Sequence, residues 1–183
     1  KNDVTAGNKI DMFIAKYDSN LTQTWNRVFD ASSAILYDEI KDVTIDANND
    51  IIITGDYLTT TGANRVFFAK YNDVNGNRLW IRRINEDFLF SNQVFTGSSL
   101  EILSIVSGQP CRYISLNNVT GSINVSKGIF NNPNINFVVK KAVKGITNDI
   151  YVIGDYDSTY TSGGITTTEQ GVLVSKILSN GSR

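Results

Sequence analysis

The chain has 183 residues, 41% of them hydrophobic and 19% charged, and carries a net charge of -1. This is enough apolar material for one packed domain or a piece of one, and too much for a disordered chain. The near-neutral charge argues against a nucleic-acid partner, and no apolar run approaches the roughly 18 residues needed to span a bilayer.

Taken in chain order, the segments with strand character are short β-branched or aromatic runs bounded by Asp, Asn and Gly. The first two are Met12 to Asp18 and Gln23 to Phe29. Ala31 to Ile40 is the best candidate for a helical period, yet it reads better as a loop or a single turn. Four runs follow: Lys41 to Asp46, Asp50 to Tyr57, Val66 to Asn72 and Arg78 to Ile84. Asn75-Gly76 between the last two is a strong hairpin signal, because both residues accept positive φ. A weaker set comprises Asn92 to Thr96, Leu100 to Val106, Cys111 to Asn117 and Gly121 to Gly128. The last set comprises Asn136 to Lys144, Asp149 to Tyr156 and Gly171 to Leu178. Loops Leu58 to Asn64 and Asp157 to Gln170 are the longest and richest in Thr and Gly, and are expected on one rim, where a partner would be sought first.

These segments repeat. Met12-Phe13-Ile14-Ala15-Lys16-Tyr17-Asp18 returns as Val66-Phe67-Phe68-Ala69-Lys70-Tyr71-Asn72, and Asp50-Ile51-Ile52-Ile53-Thr54-Gly55-Asp56-Tyr57 returns as Asp149-Ile150-Tyr151-Val152-Ile153-Gly154-Asp155-Tyr156. The second strands of successive sets are spaced by about 50 residues, a period typical of stacked repeats. Four antiparallel strands in about 45 residues is the size of one propeller blade. The expected fold is therefore all-β, built of four-stranded antiparallel β-propeller blades. Its units are a half blade at 12–29, a blade at 40–84, a divergent blade at 92–128 and a blade lacking its outer strand at 136–178. This tally does not close a circle, so the expectation is an incomplete segment of a larger propeller. The start at Lys1, with no signal peptide, is read the same way, as an N-terminus that is processed, trimmed or missing.

The string Asp-x-Phe-x-Ala-Lys-Tyr-Asp, followed by a Ser-Asn or Asn-Gly turn and then Trp, resembles the seven-bladed β-propeller (SBBP-type) repeat family. Val-Thr-Ile-Asp, Ala-Asn-Asn-Asp and Ile-Ile-Ile-Thr-Gly are similar to the other half of that repeat. The match is close over 11–84, fair over 136–183 and poor over 90–130. The resemblance implies a propeller with the Val43 strand nearest the axis and the Trp80 strand outermost. It implies an extracellular, cell-surface or virion-associated protein, with no catalytic residue to carry over.

Candidate chemistry is sparse. There is no histidine, which removes the commonest general base and transition-metal ligand. Cys111 stands alone in an apolar-alternating stretch and reads as a small buried hydrophobe. Trp25 and Trp80 hold equivalent places and are expected to fill gaps between neighbouring blades. Lys16 and Lys70 are expected to snorkel to a rim or to meet a carboxylate, and Arg82-Arg83 to be a solvated edge. Asp46-x-Asn48-x-Asp50 and Asp73-x-Asn75-x-Asn77 have the oxygen spacing of half a calcium loop, but they fall where turns are required. No cofactor and no metal are expected. Sequons begin at Asn20, Asn118, Asn124 and Asn180. The binding candidates are Asp56, Tyr57, Asp155 and Tyr156, at the ends of equivalent strands. As a pair on one rim, the two carboxylates would suit glycan binding or cleavage. The stronger reading is that a residue repeated in every blade serves the blade. The functional expectation is a non-catalytic structural or protein-interaction module, with protein partners or the remainder of its own propeller; the alternative is a glycan-binding or glycan-cleaving propeller.

Overall fold

The computed structural model describes residues 12–29, 38–85, 90–96, 101–107, 111–130, 132 and 134–183. The chain is all-β: the described residues form thirteen strands in four antiparallel sheets and no helix. The first sheet pairs β1 (Met12–Tyr17) with β2 (Gln23–Phe29). The second is the meander β3 (Asp38–Ile45), β4 (Ile51–Leu58), β5 (Asn64–Tyr71) and β6 (Arg78–Arg83). The third is β7 (Phe90–Thr96), β8 (Glu101–Ser107), β9 (Cys111–Asn117) and β10 (Ile123–Phe130). The fourth has three strands, β11 (Ile135–Lys144), β12 (Ile150–Ser162) and β13 (Ile165–Ile177).

The sheets pack face to face in chain order, because each inner strand is apolar on both sides. In β4, Ile53 joins Met12 of the first sheet with Phe67, Ala69 and Tyr71 in one cluster. Its neighbour Ile52 points the other way and joins Val66 and Phe68 to Val94, Ile114 and Leu116 of the third sheet. The strand period of two thus supplies two cores at once, which is why the strand reads as a continuous apolar run. A third cluster joins Cys111, Tyr113 and Phe130 to Phe137, Val139 and Val152 of the fourth sheet.

Each first strand carries a β-bulge opposite the second strand: between Ile40 and Asp42, between Ser91 and Gln93, and between Val139 and Lys141. The bulge explains the repeated glycine. A Cβ on Gly55 would lie 2.0 Å from the Glu39 carbonyl oxygen, and one on Gly154 would lie 2.2 Å from that of Val138. Glycine is the residue that lets two backbones approach this closely.

Two expectations are corrected. Asp38 to Ile40 is strand, because β3 begins before its bulge rather than after it; residues 31–37 lie outside the described residues. The stretch from Asp157 to Gln170 is no loop. β12 and β13 run on as a hairpin closed by Gly163-Gly164, with φ of 58° and 79°. Two positive φ values are what a two-residue type I′ turn demands, and threonines face one another along the arm (Thr159 with Thr168, Thr161 with Thr166).

Candidate functional site

The binding candidates do not converge. Asp56 is buried and Tyr57, one residue on, points to the opposite face and packs in the cluster shared with the first sheet. Asp155 lies on the outer face of the fourth sheet, while Tyr156 packs toward the third. The two Gly-Asp-Tyr motifs sit on the second and fourth sheets, with the third sheet between them. Each aspartate instead faces the bulge lysine of its own sheet: Lys41 Nζ is 3.9 Å from Asp56, and Lys140 Nζ is 3.1 Å from Asp155. Glycine for the bulge, aspartate for the bulge lysine and tyrosine for the adjoining core give this motif a role within each sheet.

The chemistry that does converge is a clamp between sheets, built three times. Lys16 on β1 lies opposite Trp25 on β2. Lys16 Nζ donates to Asp73 Oδ1 at 2.5 Å and to its carbonyl at 3.3 Å, and Trp25 Nε1 donates to the same carbonyl at 2.8 Å. Asp73 belongs to the β5–β6 turn of the next sheet. One sheet on, Lys70 lies opposite Trp80. Both donate to the Asn118 carbonyl in the β9–β10 turn, at 3.4 and 3.1 Å, and Lys70 also donates to Asn118 Oδ1 at 3.1 Å. In the third sheet Tyr113 lies opposite Lys127, and Tyr113 donates its hydroxyl to the Ser179 carbonyl at 2.8 Å.

Each clamped turn presents a glycine at positive φ flat against the ring that grips it. A Cβ on Gly76 would stand 2.6 Å from the Trp25 ring, one on Gly121 would stand 2.7 Å from Trp80, and one on Gly181 would stand 3.0 Å from Tyr113. Only a residue without a Cβ combines that backbone with that contact. Arginines brace the same turns from the side: Arg27 donates to the Asn75 carbonyl, and Arg82 donates to the Gly121 carbonyl at 2.8 Å. Arg82 is therefore half-buried in the interface, against the expectation of a solvated edge.

At its centre the second clamp buries an ionic cluster. Lys70 Nζ, its side chain 5% exposed, lies 2.6 Å from Asp46 Oδ2 and 3.3 Å from Asp50 Oδ2. Asn118 Nδ2 donates to Asp46 Oδ2 at 2.8 Å, and the backbone N–H groups of Asn48 and Asp50 donate to Oδ1. Burial pushes the Asp46 carboxyl up. The hydrogen bonds from Lys70, Asn118 and Asn48, with the Lys70 charge, outweigh it and hold the group below its usual range. Both Asp46 oxygens are thus committed to a turn cap and an ion pair, which accounts for the Asp46-x-Asn48-x-Asp50 spacing. In the second such spacing, Asn72 Oδ1 accepts from Val74 and Asn75, and Asn75 Oδ1 accepts from Asn77. Among the described residues no group of three or more His, Cys, Asp or Glu comes together as a metal site would need. The sequon at Asn118 lies on a side chain that is 1% exposed and bonded within the clamp. Cys111 is buried, and burial pushes its thiol up to about 12.

The clamp lysines and tryptophans stand out in the sequence one by one. The turn carbonyls that receive them lie 38 to 57 residues away and are backbone atoms, so no side-chain pattern marks them. The one signal available was the glycine that closes each turn. Among the described residues no helix is long and apolar enough to cross a membrane. The chain matches no protein-family model and no curated protein.

Proposed function

We propose that the chain is a segment of a β-propeller and works as a non-catalytic structural or protein-interaction module of a large surface-exposed or virion-associated protein. The observation that carries this reading is the threefold clamp: sheet after sheet in chain order, a lysine or aromatic pair grips the next sheet's turn. Residues that recur from sheet to sheet are spent on holding sheets together, and of the four rim candidates the two aspartates face lysines of their own sheets while the two tyrosines pack between sheets. An architecture by itself does not specify an activity, so the support comes from how the polar groups are used. Partners in this reading are proteins or further sheets of the same propeller, in an extracellular, cell-surface or virion setting.

The test is a panel of glycoside substrates and a glycan array with the purified chain. The expected result is no turnover and no saturable sugar binding. Hydrolysis abolished by Asp56→Asn or Asp155→Asn, or sugar binding lost on Tyr57→Ala or Tyr156→Ala, would overturn the proposal.

A further inference from the structure

We propose that the folded chain ties its second and third sheets together covalently, by an amide bond between the Lys70 and Asn118 side chains, with Asp46 carrying the protons of the reaction. The bond forms once, on the chain itself, and so adds a covalent tie to a structural module. It needs the second clamp alone, whatever the number of sheets.

Acyl transfer from an amide to a lysine needs an amine close to the amide carbon and a group that takes the amine's proton and supplies one to the leaving nitrogen. It also needs a site from which water is excluded. All three meet at Lys70. Its Nζ lies 3.1 Å from Asn118 Oδ1. That oxygen is bonded to the amide carbon at about 1.2 Å, which places the carbon within about 4.3 Å of Nζ. A small side-chain rotation closes this to the roughly 3–3.5 Å of a near-attack geometry. One oxygen, Asp46 Oδ2, bridges the two nitrogens, 2.6 Å from Lys70 Nζ and 2.8 Å from Asn118 Nδ2. The other oxygen is held by the backbone N–H groups of Asn48 and Asp50, which fixes the carboxyl in place. Trp80 Nε1 holds Asn118 from behind by donating to its main-chain carbonyl at 3.1 Å. The side chains of Lys70 and Asp46 are 5% and 1% exposed, and Asn118 is 1% exposed.

At rest the hydrogen bonds hold Asp46 below its usual range, so the pair stands as ammonium and carboxylate. Burial disfavours both charges and so favours passing one proton from Nζ to Oδ2. The neutral amine then attacks the Asn118 side-chain carbon, and the π pair of the carbonyl moves to Oδ1. Asp46 gives its proton to Nδ2 and takes a second one from Nζ. The pair on Oδ1 re-forms the carbonyl, the bond from carbon to Nδ2 breaks, and Nδ2 leaves as ammonia. Nζ keeps one proton in the new amide, and Asp46 ends protonated, as suits a buried carboxyl whose cation has been consumed. Asp50 keeps its own donors, the Asp73 N–H at 3.2 Å and Asn72 Nδ2 at 3.4 Å. The ionic cluster is therefore the freshly folded state and the amide the aged one. The first clamp has no such route, because Lys16 meets Asp73, which has no amide nitrogen to release.

Intact mass of the whole folded chain, followed over days at neutral pH, tests this. The 20.2 kDa chain is expected to become lighter by one ammonia, about 17 Da, and tryptic mapping is expected to yield one branched peptide joining Lys70 to Asn118. In urea, where the three groups no longer meet, no branched peptide is expected. Asn118→Ala and Asp46→Asn are each expected to yield none; the asparagine at 46 keeps an oxygen for the turn but cannot take the proton. An unchanged wild-type mass would overturn the inference. So would ammonia loss that maps only to a succinimide at Asn75-Gly76 or Asn180-Gly181, linkage in urea at the native rate, or linkage in folded Asp46→Asn at the wild-type rate.

Discussion

Lys70→Met probes the buried ionic cluster that ties the second sheet to the third. The substitution keeps most of the aliphatic bulk and removes one charge from a site where Lys70 is 5% exposed and the side chains of Asp46 and Asp50 are 1% and 11% exposed. At the effective dielectric of about 20 that suits such sites, each Lys70–carboxylate attraction is of order 5 kcal/mol. Most of that is offset by the cost of taking the three charges out of water. Removing the lysine alone leaves two carboxylates buried without their cation, and the expected loss is about 3–5 kcal/mol at pH 7. Urea unfolding followed by tryptophan fluorescence reads it directly, since Trp25 and Trp80 both lie at interfaces between sheets.

The pH dependence makes the test sharper. In the wild type the Asp46 carboxyl is held below its ordinary value of 3.8. A depressed folded value means that its contribution is fully present above the unfolded pKa and is lost as the pH falls through the folded one. In the variant the main lowering partner is gone, while burial still pushes the carboxyl up. Protonation then relieves the buried charge already at mildly acidic pH. The deficit of Lys70→Met relative to wild type is therefore expected to shrink between pH 7 and about pH 4.5. A deficit under about 1 kcal/mol at pH 7, or one that does not change with pH, would refute the reasoning and make the cluster a bystander.

Gly121→Ala places a Cβ 2.7 Å from the Trp80 ring at φ of 68°, whereas Gly62→Ala, at φ of 80°, meets nothing within 4 Å. The first is expected to cost at least about 2 kcal/mol and the second about 1 kcal/mol; equal losses in urea melts would show that the ring contact contributes nothing. Cys111, its thiol raised to about 12 by burial, is expected to react with an aromatic disulfide reagent at pH 8 only as fast as the chain unfolds; rapid native-state labelling would contradict its burial. Replacing residues 160–167 by Asn-Gly shortens the exposed Thr-rich arm to a tight hairpin between Thr159 and Thr168. Stability is expected to change by no more than about 0.5 kcal/mol, and a loss several times larger would mean that the arm braces the sheets.

The strands were legible where alternation or a continuous apolar run met Asx and Gly punctuation, as from Ile51 through Trp80. Legibility failed where the cause was tertiary. The arm from Thr159 to Thr168 has no apolar face, so its composition resembles a loop; cross-strand threonine pairs and the Gly163-Gly164 turn hold it as a hairpin. Asp38 to Ile40 is polar at its start and begins a strand only because the bulge at Lys41 shifts the register. Gly55 and Gly154 were visible as a repeated motif, but the carbonyl that forbids a Cβ belongs to another strand.

The third sheet shows why the same repeat is hard to recognise there. In the first two sheets the third strand carries the cation and the fourth carries the aromatic ring: Lys16 opposite Trp25, Lys70 opposite Trp80. In the third sheet that facing pair is Ser115 and Val125, and the turn is met instead from two residues along, by Tyr113 on the third strand and Lys127 on the fourth. Position by position the match is lost, yet the interaction survives. Tyr113 supplies both the ring that Gly181 rests against and the hydroxyl that donates to the turn carbonyl of Ser179. Residues two apart point to the same face of a strand, so a ring two places along can still reach the turn. The clamp therefore constrains the grip on the turn rather than one fixed pair of positions. Tyr113→Ala and Lys127→Ala, at two side chains that both pack against Gly181, are expected to cost less together than the sum of their separate losses. Additive losses in the double-mutant cycle would show that the two positions do not act as one unit.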